Sequence, residues 1–225
     1  EAIEGLKRIR FMTSHPKDLS DELIRTMAES KKVCHHLHLP MQSGSSRILK
    51  IMNRRYTKEQ YLELARKLRE QVPDIALTTD IIVGFPGETE EDHQELMEFV
   101  DEMEFDRLGV FTYSAEEDTP AASMPEQVDE EVKKDRQAEL MELQQDISLD
   151  KGNEKIGRDM LVMIEGKVAD ENAYVGRTYG DAPNVDGYIF VNTDMELMSG
   201  DLCQVHVTGA LEYDLIGELK DEYTE

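Results

Sequence analysis

The chain has 225 residues, 39% of them apolar and 6% aromatic with no Trp, and a formal net charge of −24. That length suits one large domain, or a medium one beside a small one, around an aliphatic core. No apolar run approaches the roughly 20 residues that a bilayer span needs, and Glu1 to Arg10 lack the continuous apolar stretch of a signal peptide. The apolar residues fall in periodic blocks, which excludes a disordered chain. The excess of Asp and Glu argues against affinity for bare nucleic acid. It reads either as charged helix surfaces or as complementarity to a basic partner. Cys34 and Cys203 fit no metal-ligand spacing. They predict two small buried residues in a reducing, cytoplasmic compartment, with no disulfide.

In chain order, Arg8 to Thr13 predicts a strand, followed by the turn signal Ser14-His15-Pro16. A helix over about 20–30 is capped by Ser20 or Asp18. Val33 to Pro40 alternates as a second strand. Thr57 caps a helix over 58–71, with Tyr61, Leu62, Ala65 and Leu68 at helical spacing. Ile75 to Phe85 is nearly continuous in apolar residues and Thr, as buried parallel strands are. Thr89 opens a helix to about 103, with Glu91 and Asp92 suiting its dipole. Arg107 to Tyr113 predicts a fourth strand, and Asp129 to Leu149 a long charged helix with Leu140, Leu143 and Ile147 on one side. Five short β segments follow, at 160–165, 173–178, 187–191, 202–208 and 213–218.

Alternating strands and helices predict βαβ units and a parallel sheet, and the five short strands a small barrel. The expected domains are 1–150 and 151–225. In parallel sheets and barrels, functional groups gather in loops after the strands' C-terminal ends. Here those loops are Ser14-His15-Pro16, Gln42-Ser43-Gly44-Ser45, Gly84-Phe85-Pro86-Gly87-Glu88 and Ser114-Ala115-Glu116-Glu117.

Gly84 to Glu88 reads in two ways. It is a tight turn between strand and helix, or a loop whose small residues let backbone approach a ligand beside a helix N-terminus. Gln42 to Ser46 either bonds a polar ligand at the same edge or caps the stretch Arg47 to Met52. His36 and His38 share one strand face and His35 the other, and no Cys or carboxylate stands near them at ligand spacing, so they predict ordinary strand histidines. His15, in a strand-end loop, is a weak site candidate, and Glu116-Glu117-Asp118 with the acidic helix reads as solvated charge, with metal binding as the alternative. Residues 151–225 carry six Lys and Arg against 16 Asp and Glu. Nucleic-acid-binding barrels present a basic face, so this tail suits a basic protein partner.

Four blocks together resemble the core of radical S-adenosylmethionine (radical-SAM) methylthiotransferases. They are Ser14-His15-Pro16-Lys17-Asp18, Leu39-Pro40-Met41-Gln42-Ser43-Gly44-Ser45, Arg47-Ile48-Leu49-Lys50 with Met52-Asn53-Arg54, and Thr79-Asp80-Ile81-Ile82-Val83-Gly84-Phe85-Pro86-Gly87-Glu88-Thr89. The tail, ending Ala210-Leu211-Glu212-Tyr213-Asp214-Leu215-Ile216-Gly217-Glu218, resembles that family's TRAM barrel. The resemblance implies an α/β fold: a partial radical-SAM (βα)-barrel core with a linking helix, followed by a small five-stranded antiparallel β-barrel. It also implies a transferase that inserts sulfur into a C–H bond and methylates it, using S-adenosylmethionine and two [4Fe–4S] clusters. Such clusters need thiolate ligands, and the cysteine loop that supplies them is missing. The expectation is therefore a C-terminal fragment, inactive alone.

The resemblance assigns Gln42, Gly84, Phe85, Pro86, Glu88 and, ahead of the turn, Asp80 to cofactor binding, and no residue to metal binding. The first 100 residues look closer to the branch that modifies an adenosine in tRNA. From Phe105 the chain is more similar to the branch that modifies an aspartate of a small-subunit ribosomal protein. Phe105-Asp106-Arg107-Leu108-Gly109, Gly176-Arg177-Thr178-Tyr179 and Asp181-Ala182-Pro183 carry that likeness. A hybrid chain or a core of unusual sequence accounts for the split. The acidic tail favours the ribosomal-protein branch, with tRNA modification and a purely substrate-binding module as alternatives.

Overall fold

The computed structural model describes residues 1–12, 15, 16 and 18–220. It divides into two compact units, Glu1–Gln144 and Gln145–Glu225. The first holds α1 (Asp21–Glu29), β1 (His36–His38), α2 (Ser46–Ile51), α3 (Lys58–Gln71), β2 (Ala76–Val83), α4 (Glu90–Met103), β3 (Arg107–Thr112), a 3-10 turn at Pro120–Ser123, and most of α5 (Glu130–Asn153). Caps fix the helix starts. The Ser20 hydroxyl accepts from the Leu23 N–H, and Thr57 with Gln60 and Thr89 with Asp92 each form a reciprocal capping box.

β1, β2 and β3 form a parallel sheet in that order, with His38 opposite Thr78 and Asp80 opposite Gly109. Side chains alternate faces along a strand, and here the two faces differ in kind. Leu37, Leu77, Ile81, Val83, Leu108 and Val110 are buried on one face. Behind them Tyr61, Phe99 and Phe105 meet at centroid distances of 5.9–6.3 Å, and the Tyr61 hydroxyl donates to the Leu39 carbonyl at 2.7 Å. The other face carries His36, His38, Thr78, Asp80, Ile82, Arg107, Gly109 and Phe111, and its outer half is partly open to solvent.

The helix α5 closes the sheet's edge. Its buried positions Lys133, Arg136, Leu140 and Gln144 recur at helical spacing. Lys133 Nζ donates to the Tyr113 carbonyl at 3.0 Å, Gln137 Nε2 to Val110 at 2.6 Å and Gln144 Nε2 to Phe105 at 2.8 Å. Carbonyls that a further strand would take are thereby satisfied, which blunts β3 as an edge.

Two expectations need correction. The strand expected over Arg8 to Thr13 is a single parallel bridge, Ile9 to Val33. The ladder goes no further toward Phe11 because the His36 N–H, which would continue it, donates to the Cys34 carbonyl instead, at 2.8 Å. Thr13, Ser14 and Lys17 lie outside the described residues. In the second unit β4 (Asp159–Lys167), β5 (Ala173–Arg177), β6 (Ile189–Asn192), β7 (Leu202–Ala210) and β8 (Leu215–Leu219) close a barrel in the order β4-β5-β6-β8-β7. Four neighbouring pairs are antiparallel, but β6 and β8 run parallel. A closed ring with an odd number of strands cannot reverse direction at every joint, so one parallel pair is required.

The barrel core is Val162, Ile164, Tyr174, Ile189, Val191, Val205 and Val207 with Leu197, Cys203 and Leu215. Two glycines, Gly176 and Gly217, let its walls approach. A Cβ at Gly217 would stand 2.5 Å from Val205 Cγ1 and 2.7 Å from the His206 carbonyl oxygen. Gly217→Ala is therefore expected to destabilise the barrel by about 1–3 kcal/mol through overpacking, read as a lower urea midpoint. An unchanged midpoint would show that the wall yields freely.

Candidate functional site

The sheet's C-terminal edge is built from Gln42 and the turn after β2. Gln42 has φ +75°, an uncommon conformation for a non-glycine residue. It is held there by two backbone bonds to β2: its N–H donates to the Asp80 carbonyl, and the Ile82 N–H donates to its own carbonyl, both at 2.9 Å. Its side-chain amide is half-buried and makes no hydrogen bond among the described residues. Ser43 and Ser45 are buried and work locally. The Ser45 hydroxyl donates to Asp92 at 2.8 Å rather than capping α2. Gly44 lets this loop lie against α4, since a Cβ there would be 2.7 Å from Leu96 Cα. Burial alone would raise the Asp92 pKa, but the Arg47 guanidinium, the Thr89 N–H and the Ser45 hydroxyl hold it well below the usual carboxylate range.

The turn Gly84 to Glu88 is fastened from behind. The Gly84 N–H donates to Glu88 Oε1 at 2.8 Å, and Arg136 Nη1 donates to the same oxygen at 2.8 Å. Side chains of both partners are almost wholly buried, 1% exposed for Glu88 and 7% for Arg136. Burial pushes the Glu88 carboxyl up, against the opposing pull of the Gly84 N–H and Arg136. Gly84 has φ +70°, and a Cβ would run into the Lys133 side chain. The space its small size clears is thus filled by α5, not left for a ligand. Phe85 packs edge-on against Tyr113 at 5.2 Å, within an apolar cluster that includes Ile48. Gly84, Phe85 and Glu88 build the turn, Pro86 is buried within it, and the freer groups at this edge are those of Gln42 and Asp80.

Asp80 is joined by a residue that the sequence pattern alone marks as an ordinary strand histidine. His38 Nε2 lies 3.2 Å from Asp80 Oδ2 and its Nδ1 lies 2.8 Å from Thr78 Oγ1. Thr78 Oγ1 is in turn 3.5 Å from His36 Nε2. Asp80, His38, Thr78 and His36 therefore form a polar row on the sheet's open face. The carboxylate comes from the neighbouring strand, 42 positions away, and only the strand register could have pointed to it. Burial pushes the His36 pKa down to about 3, with Arg10 and His38 acting in the same direction. His15 lies apart from this row, edge-on to Tyr56 at 5.6 Å.

Among the described residues no group of three or more His, Cys, Asp or Glu could hold a metal ion. Both cysteines are free and buried, Cys34 in the first unit and Cys203 in the second. The donor set therefore does not fit an iron–sulfur cluster. Also among the described residues, no helix is long and apolar enough to cross a membrane.

Residues 1–100 match the Radical SAM superfamily and residues 156–219 the TRAM domain. The class is therefore a radical-SAM core followed by a TRAM barrel. Among curated proteins, the ribosomal protein uS12 methylthiotransferase RimO of Lachnoclostridium phytofermentans is 54% identical, over 96% of this chain and 49% of its own length. The tRNA-2-methylthio-N(6)-dimethylallyladenosine synthase of Thermoanaerobacter sp. is 50% identical, over 96% of this chain and 45% of its own. The chain spans about half the length of the curated relatives it matches. Coproporphyrinogen III oxidase (HemN) of Escherichia coli shares the fold, with a TM-score of 0.52 and 15% identity over 90% of this chain and 46% of that one. Over nearly its whole length the chain is thus similar to radical-SAM methylthiotransferases.

The buried His36 gives a pH signature. Between pH about 6.5 and about 3 the unfolded chain binds a proton that the folded one does not, so stability is complete above this window and falls as pH drops through it. The urea midpoint should therefore fall more steeply from about pH 7 to about pH 5 in the parent chain than in His36→Gln. Equal slopes would mean that His36 is not held neutral.

Proposed function

We propose that this chain is part of an enzyme that methylthiolates an aspartate of the small-subunit ribosomal protein uS12. In this reading residues 1–150 are the C-terminal half of the radical-SAM barrel with its linking helix, and 151–225 are the TRAM barrel. The observation that carries it is the tail's charge, six Lys and Arg against 16 Asp and Glu, beside relatives named as uS12 methylthiotransferases. An acidic barrel steers and holds a basic ribosomal protein, and repels the phosphates of a free tRNA.

S-adenosylmethionine, when bound, would supply the radical and methyl chemistry expected of the family. This chain's contribution at that site is placement. The Gln42 amide and the Asp80 carboxylate would offer polar contacts at the strand ends. Gly84, Phe85, Pro86 and Glu88 would set the wall beside them, kept rigid by Arg136. Among the described residues, none forms the ligand set of an iron–sulfur cluster. The proposed setting is cytoplasmic, where free thiols persist.

The tRNA reading keeps one specific support, the 50% identity to a tRNA-modifying relative. Retention of purified uS12 and of tRNA by the immobilised chain, followed across salt concentration, separates the two. Retention of uS12 that weakens with salt and with reversal of barrel acidic residues is expected. Tighter retention of tRNA would overturn the ribosomal-protein assignment.

A further inference from the structure

The chain is strongly acidic, yet residues 30–58 hold seven Lys and Arg and no Asp or Glu. Some of these cations are used within the first unit. Arg47 pairs with Asp92, Lys58 with Glu95, and Lys32 Nζ donates to the carbonyls of Glu1 and Ile3. Arg54 and Arg55 are different. Neither has a carboxylate partner among the described residues, and the Arg54 Nε is buried with no hydrogen-bond acceptor. In a protein with about twice as many acids as bases, two adjacent guanidinium groups left without counter-ions call for an explanation.

Both line a groove in the first unit. A hollow of about 290 Å³ is bounded by His15, Asp18, Asn53, Arg54 and Arg55. It shares Arg55 with a second, of about 400 Å³, whose walls include Pro16, Tyr56, Gln60, Leu64 and Lys67. Lys67 is already paired with Asp21. Of the carboxylates, Asp18 faces the first hollow and Glu63 the second, and neither bonds Arg54 or Arg55. The groove backs onto the candidate site, because the Tyr56 hydroxyl donates to the Met41 carbonyl at 3.0 Å, next to Gln42.

We propose that this groove is a phosphate-binding site, with Arg54 and Arg55 as its anion-binding residues. Guanidinium forks match the oxygens of a phosphate, which accepts two parallel N–H bonds and carries the charge that a pair of cations needs. The surrounding acidic surface would confine a phosphate-bearing ligand to this groove. The ligand is a phosphodiester of an RNA strand or a free phosphate group, and the site stands whether or not the uS12 reading does.

The test uses the whole chain at low salt, with a fluorescent single-stranded RNA of about 12 nucleotides as probe and anisotropy as readout. Arg55→Glu, on an exposed side chain, is expected to weaken binding at least tenfold. It should also lower the salt slope by about 0.7 for each phosphate that is no longer neutralised. Lys134→Glu makes the same charge change on the exposed side of α5 and should stay within twofold. Competition by millimolar inorganic phosphate would point to a single phosphate group. Resistance to it, with displacement by unlabelled RNA, would point to a strand. No binding of RNA or phosphate, or equal weakening in the two variants, would overturn the proposal.

Discussion

One carboxylate oxygen, Glu88 Oε1, accepts both the Gly84 N–H and the Arg136 guanidinium in a place almost closed to water. Taking two charges out of water is unfavourable, and breaking such a pair afterwards is worse, by about 3–5 kcal/mol. Without Glu88, the carboxylate left to Arg136 among the described residues is the exposed Glu90, at 3.3 Å. The pair therefore acts less as a source of stability than as a constraint. The turn after β2 can take only the conformation that brings Glu88 under α5. The wall proposed beside Gln42 and Asp80 depends on that turn being fixed, while those two residues are placed by β2 itself.

Helix α5 carries the constraint further. Its inward stripe is mostly polar, with Lys133, Arg136 and Gln144 beside Leu140, and Gln137 follows at its margin. An all-apolar stripe would pack, but it would leave the carbonyls of Phe105, Val110 and Tyr113 without donors. The polar side chains satisfy them in turn. The same helix thus finishes the sheet's edge and locks the ligand-side turn. This accounts for buried cations in a helix whose sequence reads as solvated charge.

Much of this fold was legible in the sequence because its signals are local. Thr57 and Thr89 each lie next to the helix they cap, and the expected starts match α3 and α4. The alternation of strands and helices, and the five short β segments, likewise follow from patterns within a few residues. Pairings across the chain were not legible. Asp80 reaches His38 through a strand register 42 positions apart, and Glu88 reaches Arg136 across 48. Gly84 shows the difference most clearly. Its type and place were right for a positive φ, but what fills the space it leaves, Lys133, comes from a helix that no local pattern connects to it. Resemblance supplied the candidate residues, while the structure separates those that build the turn from those that face outward.

The central claim is that Glu88 and Arg136 act as one unit, and a double-mutant cycle measures it directly. Glu88→Gln, Arg136→Met and the double variant would be compared by urea unfolding under one set of conditions. Each single change should be strongly destabilising, and the double variant should fall clearly short of their sum, since it leaves no buried charge unpaired. Strictly additive effects would show two independent interactions and contradict the account.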